Sequence, residues 1–214
     1  MINMKILLVH LPKTAGTVLS WYARAVPEFE YYLNNGQAHY PASSVVNRQE
    51  YFIVGFVRNP WDWYVSRYHY FTAMAKQGIE KGVSKYADAG LPGKHFVQKF
   101  PTLKDHLMFG LSNECKAERF WMSQMYQYMF CDRNSEKLLL NFVGRTENLN
   151  EDMDTVFELI KTSPSISFKN FLLAESPYRN SSEHNHYSQY YDQELIDLVQ
   201  EKDGDIVQQY DYQF

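Results

Sequence analysis

Lys5-Ile-Leu-Leu-Val-His-Leu-Pro-Lys-Thr-Ala-Gly-Thr17 runs from an apolar stretch straight into a short polar loop. The apolar run Ile6–Val9 is continuous rather than alternating, which suits a strand buried on both faces of a parallel sheet. Pro12–Gly16 reads as a turn, and Thr17–Ala25 as a helix that ends before Pro27. The junction between a strand's carboxyl end and a helix start is where open α/β sheets bind ligands. The unpaired N–H groups and positive dipole end of a helix N-terminus stabilise an anion there. Lys13 adds a point charge, Thr14 and Thr17 add hydroxyl donors, and Gly16 lets backbone approach a ligand closely. Read alone, the loop equally describes a strand-to-helix turn with a solvated lysine. It is not the nucleotide-triphosphate loop, because its lysine precedes the glycine and the first glycine is missing.

Outward from this junction, Tyr51–Val57 is a second buried strand. Arg58 closes it, and Asn59-Pro60 opens a long helix, with Asn as a favoured N-cap and Pro at the first helical position. Ser66 follows Asn59 by two helical turns and so shares its face. A guanidinium fork suits a phosphate oxygen pair better than an ammonium does. By itself Arg58 could as well bond neighbouring carbonyls. Together with the first loop, it describes a ligand with two separated anionic groups.

Further along, Leu103–Gly110 and Glu118–Met129 read as helices and Leu138–Val143 as a third strand. Asn148–Ile160 is helical, with Asn148 and Glu151 at capping-box spacing. Tyr191–Tyr210 is a C-terminal helix. Glycine and proline between residues 75 and 94 mark an excursion that is either a lid or a plain surface loop. The order of elements predicts an α/β fold, a P-loop-like three-layer arrangement with a central, mostly parallel sheet flanked by helices. The 214 residues are expected to form a single domain.

Composition narrows the function classes. With 45% apolar and 21% charged residues the chain is an ordinary globular protein. A net charge of −4 argues against a nucleic-acid-binding surface, while leaving room for one small basic pocket. Cys115 and Cys131 give no disulfide framework, and no apolar run approaches a membrane span or a signal-peptide core. The expectation is a cytoplasmic protein with no membrane or nucleic-acid partner.

The motifs also resemble a known family. His10–Thr17 resembles the 5′-phosphosulfate loop of sulfotransferases that use 3′-phosphoadenosine 5′-phosphosulfate (PAPS). Phe56-Val-Arg-Asn-Pro-Trp-Asp-Trp-Tyr-Val-Ser-Arg-Tyr68 resembles their 3′-phosphate motif. Val143–Leu149 with Asp152, and the tail from Asn180–Ser182 through Tyr190–Asp192 to Asp205 and Tyr212, are similar to looser family segments. The likeness is closest to the carbohydrate branch. It implies a P-loop-like fold, PAPS as donor, adenosine 3′,5′-bisphosphate as product, and no metal. It further implies that Lys13, Thr14, Ala15, Gly16 and Thr17 bind the 5′-phosphosulfate, and Arg58 and Ser66 the 3′-phosphate. Arg179–Ser182 would close over the nucleotide. Many relatives carry Gly where Ala15 stands.

Sulfuryl transfer needs in-line positioning and charge stabilisation at the leaving oxygen, a task the resemblance gives to Lys13. It also needs a base for the acceptor hydroxyl, of a sugar or another small molecule. His39, in the loop Asn35–Pro41, matches the place of the catalytic histidine in the carbohydrate branch. Without the resemblance, His39 is a loop histidine with no task. His10, at the end of the first strand, reads either as a packed residue or as one that supports the site residues from behind, His69 as core, and His184 and His186 as surface. Two other functions remain open at this stage. A nucleotide-kinase-like phosphotransferase would need a lysine after the glycine and an acid for Mg²⁺. A non-catalytic adenosine 3′,5′-bisphosphate sensor would need no His39.

Overall fold

A computed structural model describes residues 5–31, 39–76, 99–112, 120–174 and 184–214. The excursion expected at 75–94 falls outside these beyond the end of a helix at Lys76, as does the loop Arg179–Ser182. The chain packs as two compact units, Met1–Arg58 with Tyr126–Ser181, and Asn59–Met125 with Ser182–Phe214.

The first unit carries the sheet. Strands β1 (Lys5–Leu8), β2 (Phe29–Tyr31), β3 (Tyr51–Val57) and β4 (Phe142–Arg145) lie in the order β2-β1-β3-β4, and every pairing is parallel. Ile6 pairs with Phe52 and Leu8 with Val54, so β1 ends opposite Val54 and β3 runs on beside β4 to Val57. Helix α1 (Gly16–Ala25) follows β1. Ile6, Leu8, Val54 and Phe56 face a core completed by Leu19 and Tyr22 of α1 and by Met153, Val156 and Phe157. The last three belong to a helix at Leu149–Leu159, numbered below, and Phe168 and Phe171 of Phe168–Ala174 close the layer. On the opposite face, the Cα of Gly55 sits so close to Phe130 and Leu140 that a Cβ would come within 2.6 Å of both side chains. Burial on both faces explains why β1 and β3 read as unbroken apolar runs.

The second unit is helical: α2 (Pro60–Lys76), α3 (Leu103–Gly110), the start of α4 (Met122–Phe130) and a later helix at Gln193–Gln209. Asn59 caps α2 as expected, its Oδ1 accepting from the N–H of Trp61 at 3.0 Å. Thr102 and Asp105 form a reciprocal capping box on α3. In chain order the remaining helices are α5 (Leu149–Leu159), α6 (Phe168–Ala174) and α7 (Gln193–Gln209). Asp203, fully buried in a kink of α7, accepts from Tyr64 Oη of α2 at 2.7 Å and from the Ser123 N–H of α4 at 2.8 Å. One carboxylate thereby ties three helices together.

Three expectations need correction. The strand foreseen at Leu138–Val143 begins at Phe142, because Leu138 forms an isolated antiparallel bridge with Cys131. Asn141 then bonds to β3, its side-chain Oδ1 accepting from the Ile53 N–H at 2.7 Å. The Asn148–Glu151 capping box does not form, since the Asn148 side chain makes no cap bond. A 3-10 turn at Thr146–Asn148 leads into α5 instead, and Asp152 accepts from the Arg145 N–H at 2.6 Å. His69 is half-buried rather than core, its ring 5.2 Å from that of His184.

Candidate functional site

The loop between β1 and α1 alternates in backbone hand. Lys13 has φ 69° and Ala15 φ 59°, both left-handed, and Thr14 between them is not. Such alternation turns successive N–H groups toward one side and makes a concavity for an anion. Neither left-handed position is a glycine, so the conformation costs about 1–2 kcal/mol per residue in the isolated chain. The surroundings hold it. Thr14 is buried and donates from Oγ1 to the Leu11 carbonyl at 2.7 Å. Arg58, at the tip of β3, donates from Nη1 to the Lys13 carbonyl at 3.3 Å. Thr17 is exposed in the first turn of α1.

The electrostatics favour an anion. Burial, with the Arg58 guanidinium nearby, pulls the Lys13 ammonium down to about 8. A negative group beside these two cations would raise the Lys13 pKa by direct attraction, opposing the effects of burial and of Arg58. The third motif supports the same sheet edge from below. Gly144 is packed so closely that a Cβ there would lie 2.6 Å from Phe56 and 2.8 Å from Asp152 Oδ2. Thr146 Oγ1 donates to the Val57 carbonyl at 2.7 Å, fixing the end of β3 where Arg58 departs.

His39 comes to this loop. Its Nδ1 lies 3.2 Å from the His10 carbonyl, and the two imidazole centres are 4.6 Å apart. A carbonyl only accepts, so Nδ1 carries the hydrogen and the neutral ring keeps its lone pair on Nε2, the tautomer a base needs. The His39 backbone is itself left-handed, with φ 66°. His10 is buried, and burial first, then His39 and Lys13, hold its pKa well below the usual histidine range.

Six of the residues singled out in the sequence (Lys13, Thr14, Ala15, Gly16, Thr17 and Arg58) and His39 thus all lie in the first unit, around the ends of β1 and β3. Ser66 is buried on α2 in the second unit. Sequence reasoning did not foresee the left-handed backbone at Lys13 and Ala15, for which the glycine of many relatives at the Ala15 position was the one available signal, or the closeness of His10 to Gly16. Among the described residues no cluster of His, Cys, Asp and Glu is placed to hold a metal, and no helix is long and apolar enough to cross a membrane.

The sequence profile of the Sulfotransferase family matches residues 3–213. The chain belongs to the sulfotransferase family. No curated protein matches it in sequence. Among solved structures it is similar to the mouse sulfotransferase SULT7A1 complexed with PAP, with a TM-score of 0.53 and 13% identity. The likeness covers 97% of this chain and 88% of that one, and shows a shared fold. As a sulfotransferase, the chain is a transferase whose P-loop-like core carries the loop and the Arg58 tip described above.

Proposed function

We propose that this sulfotransferase moves a sulfuryl group from PAPS to the hydroxyl of a sugar or other small molecule. The observation that carries the reading is the convergence of Lys13 and Arg58 on a loop of alternating backbone hand at the start of α1. The N–H groups of Thr14–Thr17 and the Lys13 ammonium receive the 5′-phosphosulfate, and Arg58 receives the 3′-phosphate. Ser66 joins Arg58 on the strength of the motif alone. Structural similarity to a PAP-bound sulfotransferase supports this choice of donor.

The acceptor oxygen attacks sulfur in line, and the bond from sulfur to the bridging phosphate oxygen breaks. His39 Nε2 takes the hydroxyl proton, and Lys13 stabilises the charge on the departing phosphate oxygen. The products are a sulfate ester and adenosine 3′,5′-bisphosphate. Losing the base costs about 10²–10⁴-fold in rate.

The test is transfer of radiolabelled sulfate from PAPS to a panel of sugars and phenols, by the wild type and His39→Ala, beside thermal stabilisation by adenosine 3′,5′-bisphosphate and by AMP. Transfer that collapses in His39→Ala with nucleotide binding intact supports the whole reading. Stabilisation without any transfer would indicate a binding module. Equal response to AMP and the bisphosphate would rule out a 3′-phosphate site at Arg58.

A further inference from the structure

Gly16 opens α1 in a helical conformation, so its backbone makes no demand for glycine. The loop residues that do hold left-handed backbone are Lys13 and Ala15. What excludes a side chain at position 16 is the His10 imidazole. A methyl group there would overlap Cε1, Nε2 and Nδ1 of that ring. The same ring lies against His39, with centres 4.6 Å apart and planes inclined at 40°, and the His10 carbonyl faces His39 Nδ1 at 3.2 Å. One buried residue therefore touches the first turn of the anion loop's helix with its side chain, and His39 with both side chain and backbone.

We propose that His10 is a positioning residue of the sulfotransfer site: its ring is a wedge between the start of α1 and His39 that fixes loop and base relative to each other. This rests on the reading of the site given above. Gly16 is then small to make room for His10, not for the nucleotide. A neutral ring suits the place, because an imidazolium would be repelled by Lys13 and by a protonated His39. Close packing makes such a wedge effective, since interiors transmit displacements rather than absorb them.

A size-swap tests it, using Gly16→Ala, His10→Ala and the double variant. Affinity for adenosine 3′,5′-bisphosphate is read by calorimetry, kcat and KM by sulfate transfer from PAPS, and integrity by melting temperature. Gly16→Ala is expected to weaken nucleotide binding by ~10-fold or more, and the double variant to regain most of that loss. His10→Ala and the double variant should lose up to about 100-fold in kcat with donor KM close to wild type, as expected for a misplaced base. A residue that only fills space would lower the melting temperature without this split. The proposal is overturned if the double variant binds as weakly as Gly16→Ala, or if His10→Ala keeps wild-type kcat. Should His10→Ala yield no folded protein, His10→Ser with Gly16→Ala gives the same comparison, since serine also vacates the ring's space. If the wild type binds no nucleotide, the sulfotransfer reading fails and the positioning role, which rests on it, fails with it; if the wild type binds and the double variant regains nothing, the positioning role alone is overturned.

Discussion

The Arg58 guanidinium donates to the backbone carbonyl of Lys13 at 3.3 Å, so the tip of β3 holds the loop after β1 in its left-handed turn. The same proximity lowers the Lys13 pKa, after the larger effect of burial. Arg58 thus shapes the loop and raises its appetite for an anion at once.

The first prediction concerns pH. With Lys13 at about 8 in the free protein, an anion that binds beside it raises that pKa, so binding takes up a proton above pH 8. Affinity for adenosine 3′,5′-bisphosphate should fall as pH rises from 8 to 10, by up to about tenfold per unit. The sign for folding is the opposite: the unfolded chain holds the Lys13 proton up to about 10.4, so this group's contribution to stability rises with pH over the same window. Calorimetric titration at several pH values checks the first statement. Lys13→Arg, which stays charged, should give a flat curve, and a flat curve from the wild type would refute the assignment of Lys13 to the ligand.

A second prediction separates the two roles of Arg58. Arg58→Lys keeps a positive charge but loses the fork, so nucleotide affinity should drop by ~10–100-fold, the worth of a charge-assisted hydrogen bond of about 1.5–3 kcal/mol. The pH at which affinity begins to fall should stay where it was. Arg58→Ala, which loses the charge as well, should lose more affinity and move that pH upward, because a cause that lowers the Lys13 pKa has gone. Both variants are read by the same titrations.

At Ala15 the backbone has φ 59° and ψ 18°, a region that glycine occupies without steric cost. Ala15→Gly should therefore stabilise the fold, by up to about 1 kcal/mol once the greater freedom of glycine in the unfolded chain is set against the relief. Ala15→Val should do the reverse, because a β-branched residue is worst suited to this conformation. Thermal denaturation of the two variants decides it, and a lower melting temperature for Ala15→Gly would show that the Cβ of Ala15 contributes more by packing on the core beside it.

How far the sequence carried this reading depends on what each feature needs. Strand β3 was legible to the residue, Tyr51–Val57, because burial on both faces writes an unbroken apolar run bounded by polar residues. The helix after Asn59-Pro60 was legible because capping is local chemistry. The short strand Phe29–Tyr31 was not, since three residues carry no period and exist as a strand only by pairing with β1. Helix α6, Phe168–Ala174, is only seven residues long and likewise owes its place to tertiary packing, with Phe168 and Phe171 in the core. At the site, charges and hydroxyls could be read from residue type. The meeting of His10, Gly16 and His39 could not, because it joins a strand end to a loop 29 residues away. The family tail drew attention to Asp205, yet among the described residues the buried carboxylate is Asp203, which only the packing of α7 reveals.

That carboxylate gives the last prediction. Asp203 is fully buried, and desolvation raises its pKa although Tyr64 and Ser123 donate to it. Removing it leaves the buried Tyr64 hydroxyl and the part-buried Ser123 N–H without this acceptor, each loss costing about 1–3 kcal/mol. Asp203→Ala should therefore destabilise the protein by roughly 2–5 kcal/mol. Asp203→Asn should be milder, since its amide oxygen can still accept from part of this donor set. The two substitutions also differ from the wild type in pH dependence. A carboxyl whose pKa is raised on folding favours the native state most at pH values below its unfolded pKa of about 3.9, and that contribution is lost as pH rises through the folded value. Asn cannot ionise, so Asp203→Asn should lose stability less steeply over this rise. Denaturant unfolding of wild type and Asp203→Asn from acid to neutral pH measures the difference between the curves. If the gap between them does not change with pH, Asp203 is ionised at no net cost, and its hydrogen bonds just offset the burial of its charge.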